Sequence, residues 1–347
     1  MNKGYKYYKG ICIMSIYNLP NLCNTNVCNT NVYTYIISSH SSIDLIQVVI
    51  SHTLYQYVRN LKDVLYKSEK KQIDPYKYIY SILPIKTSYS STYYKMCEIY
   101  KTFNILEQLP RNCKSFHFTD NIDGCGCMES LKACRQNNLD QYSKRTQTND
   151  FFDSNKVQEC YTMYHGSCHL VTGYYKQDEE IQQSKLLFTH CIYAFACQKK
   201  GGDFILKISD IYTQPTIDIL YILSSLYEKV HIYKPYTSSP LSSERYVICM
   251  NFRLEDTKDL VDKMSIVLKN FINTMYPDRF LQCDIPYSYI CIIQDINAIM
   301  GQTQLEYMNV TLKHLQCSTN ETADYKIQQH NHKCIQWCKK FNLHDIF

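Results

Sequence analysis

The sequence predicts an α/β fold, and three observations between residues 180 and 275 carry that prediction. A helical apolar pattern ends at Gly201-Gly202, short apolar runs follow at 204–208, 230–233 and 246–250, and a second helical pattern separates the first two runs. Helix, strand, helix, strand, strand is the order found in the second half of a doubly wound sheet.

Each element has a local reason. Leu186, Leu187, Cys191 and Phe195 recur at helical spacing until the diglycine, which turns the chain into the strand Phe204-Ile205-Leu206-Lys207-Ile208. Pro215 suits the first turn of the next helix, whose Ile219, Leu220, Ile222, Leu223 and Leu226 face inward. The strand at 230–233 stops at Lys234-Pro235, the Ser- and Pro-rich run 236–243 makes a hairpin connection, and 246–250 returns as a strand. Beyond it, Leu260, Val261, Met264, Val267, Leu268, Phe271, Ile272 and Met275 form an amphipathic stripe ended by Pro277, followed by a helical pair to about Leu343. Residues 1–85 hold the direct repeat CNTNV at 23–27 and 28–32 and a helical stretch near 45–58. They carry no assignable chemistry and are expected to be partly disordered.

Lys207 lies inside an apolar strand, where an ammonium is costly unless the interior needs it. Around it stand Gly201-Gly202, Phe204, Lys234-Pro235, Thr237-Ser238, Pro240 and Ser243-Glu244-Arg245-Tyr246. In register, these residues resemble the FtsJ/RrmJ family of ribose 2'-O-methyltransferases, most closely its eukaryotic branch that acts on capped mRNA. Ser239 stands where that family has arginine. The resemblance implies a Rossmann-like methyltransferase sheet that uses S-adenosyl-L-methionine to methylate a ribose 2'-hydroxyl of capped mRNA in the nucleus.

The family surrounds the target ribose with a lysine-aspartate-lysine-glutamate tetrad, and the resemblance places Lys95, Lys207 and Glu244 at three of the four positions. A 2'-hydroxyl is a weak nucleophile at neutral pH, and a lysine held near a carboxylate can orient the oxygen and assist loss of its proton. Tyr174, in His169-Leu170-Val171-Thr172-Gly173-Tyr174-Tyr175, takes the place of the aspartate and supplies no fixed negative charge. That substitution keeps open an alternative, an inactive RNA-binding or scaffold protein of the same fold. It also raises the expectation of a protein partner that completes the site.

For the cofactor, the resemblance implies a strand over 116–120 and a glycine-containing turn over 123–131, with Gly124 and Gly126 beside the methionine part and Asp150 toward the adenine. Cys125 replaces a glycine of that turn, and the polar interval 132–149 gives no sign of the family's second strand. Weak cofactor binding is the expectation.

With 347 residues, 45% of them hydrophobic, the chain can bury a large core, and no apolar run is long enough for a membrane span. The net charge of +5 permits RNA binding without demanding it. Eighteen cysteines spread through predicted helices and strands read as reduced thiols. His330, Cys334 and Cys338 share a helical face, but a packed helix is the preferred reading over a zinc site, so no metal is assigned. Three regions result: an N-terminal part over 1–85, a methyltransferase domain over 86–255, and a helical extension over 256–347.

Overall fold

The computed structural model describes residues 16–22, 39–40, 48–69, 89–119, 125–146, 149–176, 179–271, 276–316, 321–341 and 343. The elements run β1 (Ile16–Asn18), β2 (Ser39–His40), α1 (His52–Glu69), α2 (Ser91–Thr102), α3 (Ile105–Gln108), β3 (Lys114–Thr119), α4 (Gly126–Arg135) and β4 (Gln141–Thr146). They continue with α5 (Ser154–Tyr164), β5 (Cys168–Gly173), α6 (Glu180–Cys197), β6 (Gln198–Ile208), α7 (Gln214–Leu226), β7 (Tyr227–Tyr233) and β8 (Arg245–Phe252). Last come α8 (Lys258–Asn270), β9 (Tyr276–Pro277), α9 (Tyr287–Gln316) and α10 (Glu321–Phe341).

The main sheet has seven strands in the order β1-β7-β8-β6-β5-β3-β4. β4, β3, β5 and β6 are mutually parallel, whereas β8 runs antiparallel between β6 and β7. The chain leaves β3 for β4 on one side and returns to β5 on the other, so the strand order reverses between β3 and β5. Ligands of open α/β sheets bind outside the carboxyl ends of the strands at such a reversal.

The two faces of the sheet are covered differently. Phe204, Leu206 and Ile208 of β6 and Val247 and Cys249 of β8 join the larger core, beneath residues of α5, α6, α7 and α8. Their alternates Ile205, Tyr246, Ile248 and Met250 join a second core with Met96, Ile99 and Tyr100 of α2 and Leu131 of α4. Period-two alternation thus assigns each strand residue to one helical layer.

The helix-strand-helix-strand-strand order stands, with shifted boundaries. α6 ends at Cys197 and Gly201-Gly202 fall inside β6, where Gly201 takes φ +79°. Pro277 belongs to β9 and does not cap α8, which ends at Asn270. The interval 132–149 does contain a strand: β4, Gln-Tyr-Ser-Lys-Arg-Thr, pairs in parallel with β3 along its whole length. It escapes an apolar pattern because it is the sheet edge and buries neither face fully.

Three described parts of the N-terminal region join the fold, β2 by pairing with β9. β1 adds to the sheet beside β7, and α1 packs against α9 through Val58, Leu65 and Met308. The CNTNV repeat lies outside the described residues.

Leu206 is fully buried near the carboxyl end of β6. Its truncation leaves a cavity between the sheet and α6, and Leu206→Ala should lower stability by about 3 kcal/mol. Urea denaturation should report this as a lower midpoint with an unchanged slope.

Candidate active site

Lys207 shares the parity of Ile205, and Glu244 that of Tyr246, so both lie on the face of the sheet covered by α2. Lys207 pairs with Tyr246 across the β6–β8 ladder, and Glu244 sits just before β8. Because β8 is antiparallel, its start lies at the carboxyl end of β6. Tyr174 follows β5 at the same edge and packs against the same core.

The fourth element is α2. Ser90 caps it by accepting from the Tyr93 backbone N–H, and every residue from Thr92 to Tyr100 is buried. Lys95, one turn in, donates from Nζ to Glu244 Oε2 at 2.6 Å. The two side chains are 9% and 8% exposed, so this is a buried ion pair. Tyr246 donates its hydroxyl to the other oxygen, Oε1, at 2.9 Å. Lys207 donates to the Tyr175 carbonyl at 2.7 Å, with its Nζ 5.1 Å from the Tyr174 ring centroid and 5.2 Å from that of Tyr175.

The charges decide how Glu244 titrates. Burial pushes its carboxyl up, but the nearby Lys95 and Lys207 ammoniums and the hydrogen bonds from Lys95 and Tyr246 outweigh this and hold it down at about 2. Lys234 lies beside the same loop and donates to the Ser242 carbonyl at 2.6 Å and the Glu244 carbonyl at 3.2 Å. Burial, with the like charge of Arg245, lowers its ammonium to about 7.

Structure therefore brings Lys95, Lys207, Glu244 and Tyr174 to one corner. Lys234 stands at this corner too. Lys199, Lys200 and Lys229 sit near the starts of β6 and β7, at the opposite edge of the sheet, and Lys185 on α6 donates to the Phe271 carbonyl.

The positions tied to the cofactor fare less evenly. Gly124 lies outside the described residues, and Asp150 falls in a 3-10 turn at 149–152 whose acidic side chain is likewise outside them. Gly126 opens α4, and a Cβ there would run into Ser90 Oγ and come within 3.0 Å of Thr92 Cβ and Tyr93 N. The glycine thus has a packing reason, since it lets α4 meet the start of α2. Cys125 is 2% exposed and packs in the core with Met96 and Leu131, so the side chain that replaces a glycine is taken up by packing.

Sequence reading missed a second polar cluster at this edge. Asp210, two residues past β6, lies 3.2 Å from Lys62 of α1 and 3.7 Å from Arg245, and Lys62 also donates to Ser243 Oγ at 2.7 Å. Only the Ser-Glu-Arg string hinted at it, because Lys62 comes from a distant segment. Among the described residues, no group of three or more His, Cys, Asp or Glu could hold a metal, and Cys334 lies 3.4 Å from His330 Nε2 within α10. No described helix is long and apolar enough to cross a membrane.

Residues 129–252 match the model of the FtsJ-like methyltransferase family. This segment is similar to FtsJ-like methyltransferases. It contains Lys207, Glu244 and Tyr174 but not Lys95, whose place beside Glu244 comes from the structure. An uncharacterized protein of Acanthamoeba polyphaga mimivirus is 26% identical over 203 residues, 57% of this chain and 53% of that protein. The Homo sapiens cap-specific mRNA (nucleoside-2'-O-)-methyltransferase 1 is 34% identical over 98 residues, 28% of this chain and 12% of that protein. The corresponding methyltransferase 2 of Drosophila melanogaster is 28% identical over 143 residues, 39% of this chain and 20% of that protein. The match spans about half the length of the viral relative and far less of the cap-specific enzymes.

The depressed Glu244 carboxyl makes stability depend on acid. Its folded pKa, about 2, lies below the ordinary 4.5, so its contribution is full above about pH 4.5 and is lost as pH falls toward 2. The protein should lose about 3 kcal/mol more over that window than Glu244→Gln does, as measured by denaturant melts at pH 5 and at pH 2–3.

Proposed function

We propose that the chain is a ribose 2'-O-methyltransferase acting on capped mRNA, with S-adenosyl-L-methionine as methyl donor and the nucleus as its place of action. The observation that carries this reading is the buried Lys95–Glu244 pair, with Lys207 beside it, at the sheet edge that also holds the β3–β5 crevice. S-adenosylmethionine bound at the crevice supplies a methyl group activated by its sulfonium. The start of α4 and the end of β5 would hold it.

The chain's own residues prepare the acceptor. Glu244, kept ionised at neutral pH, holds Lys95 and attracts Lys207, so two cations stand near the position of a ribose 2'-oxygen. Lys207, steadied by the Tyr175 carbonyl, stabilises the negative charge that grows on that oxygen as its proton leaves. Low exposure at this corner strengthens both interactions.

Tyr174 favours a second reading. A phenol over the Lys207 ammonium replaces a carboxylate, which suits an RNA-binding protein that has lost turnover, or one whose site a protein partner completes.

Radiolabelled methyl transfer to capped RNA separates these readings. Transfer by the unmodified chain that falls about a hundredfold or more in Lys207→Ala is the expected result. Binding of capped RNA with no transfer, and no effect of Lys207→Ala, would establish the second reading instead.

A further inference from the structure

One turn beyond Lys95, on the same helix, lies a carboxylate that the reaction itself does not use. Glu98 is fully buried, and its oxygens are crowded with donors from two other parts of the chain. Oε1 accepts from the Tyr233 hydroxyl at 2.5 Å and the Tyr236 backbone N–H at 2.7 Å. Oε2 accepts from the Thr237 backbone N–H at 3.2 Å, the Thr237 hydroxyl at 3.0 Å and Trp337 Nε1 at 3.0 Å.

These donors come from the end of β7 and the connection that leads to Glu244, and from α10. The connection fixes where Glu244 stands, and α2 fixes where Lys95 stands. We infer that Glu98 is a positioning residue, which locks α2 to the β7–β8 connection and to α10 and thereby holds Lys95 against Glu244. The inference rests on the reading of Lys95 and Glu244 as part of the acceptor site.

The chemistry of the cluster calls for a carboxylate. Burial raises the Glu98 carboxyl and the hydrogen bonds it receives lower it; the Tyr236 N–H on one oxygen, and the Thr237 N–H and Trp337 Nε1 on the other, can only donate, so both oxygens must accept. In Glu98→Gln an amide N–H₂ would face obligatory N–H donors at a fully buried position, leaving buried N–H groups unmatched. Tyr93, Tyr94 and Cys97 of α2 pack against Trp337, Cys338 and Phe341 of α10, so the polar hub is sealed on the α10 side by apolar contact. Release of the hub should let α2 shift relative to Glu244 while the sheet, which Glu98 meets only through the Tyr233 hydroxyl at the end of β7, stays folded.

The test reads Lys95 directly. The whole chain is treated with an amine-acylating reagent, and the labelling rate of each lysine is followed by mass spectrometry. Cooperative unfolding and the emission of Trp337, the sole tryptophan, check the fold and the α10 contact. In Glu98→Gln, Lys95 should be acylated at least about tenfold faster than in the unmodified chain, with exposed lysines such as Lys200 unchanged. An unchanged Lys95 rate in a folded Glu98→Gln protein overturns the inference. If Glu98→Gln does not fold, Thr237→Val, which removes a single donor, must still raise the Lys95 rate, and no rise there overturns it equally. Methyl transfer is measured alongside. A fall in kcat of about tenfold with little change in KM for RNA is expected if the acceptor reading holds. Faster Lys95 labelling in a chain that transfers no methyl group keeps the positioning role and removes the catalytic reading.

Discussion

The buried Lys95–Glu244 ion pair constrains everything around it. Taking two charges out of water costs several kcal/mol per ion, and close approach offsets this only when the remaining polar atoms are also bonded. Here the second carboxylate oxygen receives the Tyr246 hydroxyl, and Lys207 adds its field. The pair cannot tolerate loose partners. Its lysine comes from a helix buried along nine consecutive residues, and its glutamate from a turn pinned by Lys234 and by the Lys62–Ser243 bond.

Topology makes such a pair possible. Insertion of antiparallel β8 between β6 and β7 puts the start of β8 at the carboxyl edge, where α/β sheets bind ligands. Two charged residues from distant parts of the chain then meet a strand lysine on one face. The larger core lies on the other face, so the charges are kept away from most of the apolar packing. Tyr174 fits this arrangement as a flat apolar wall over Lys207, which explains how the corner stays packed without a second carboxylate.

Much of this was legible from residues 198 to 250, because β6, α7, β7 and β8 carry strong apolar patterns and the Lys207 and Glu244 positions fall in a dense string of motif residues. Lys95 was legible only weakly, since its helix is buried on most sides and shows no clean amphipathic stripe. β4 was invisible for the opposite reason, being a polar edge strand that needs β3 to exist. β1, three residues long, and Lys62, whose partner Asp210 is 148 residues away, depend on tertiary contacts that no local pattern encodes. Glu98 was in plain view as the residue one turn from Lys95, but its worth comes from donors gathered out of β7, the following connection and α10.

The central claim is that this corner receives a ribose. A crystal structure of the chain with a short capped RNA tests it most directly. One ribose 2'-oxygen should lie within about 3 Å of Lys207 Nζ, on the α2 face and beside the Lys95–Glu244 pair. RNA seated elsewhere on the protein, with the Lys95–Glu244–Lys207 corner closed to it, would contradict the account.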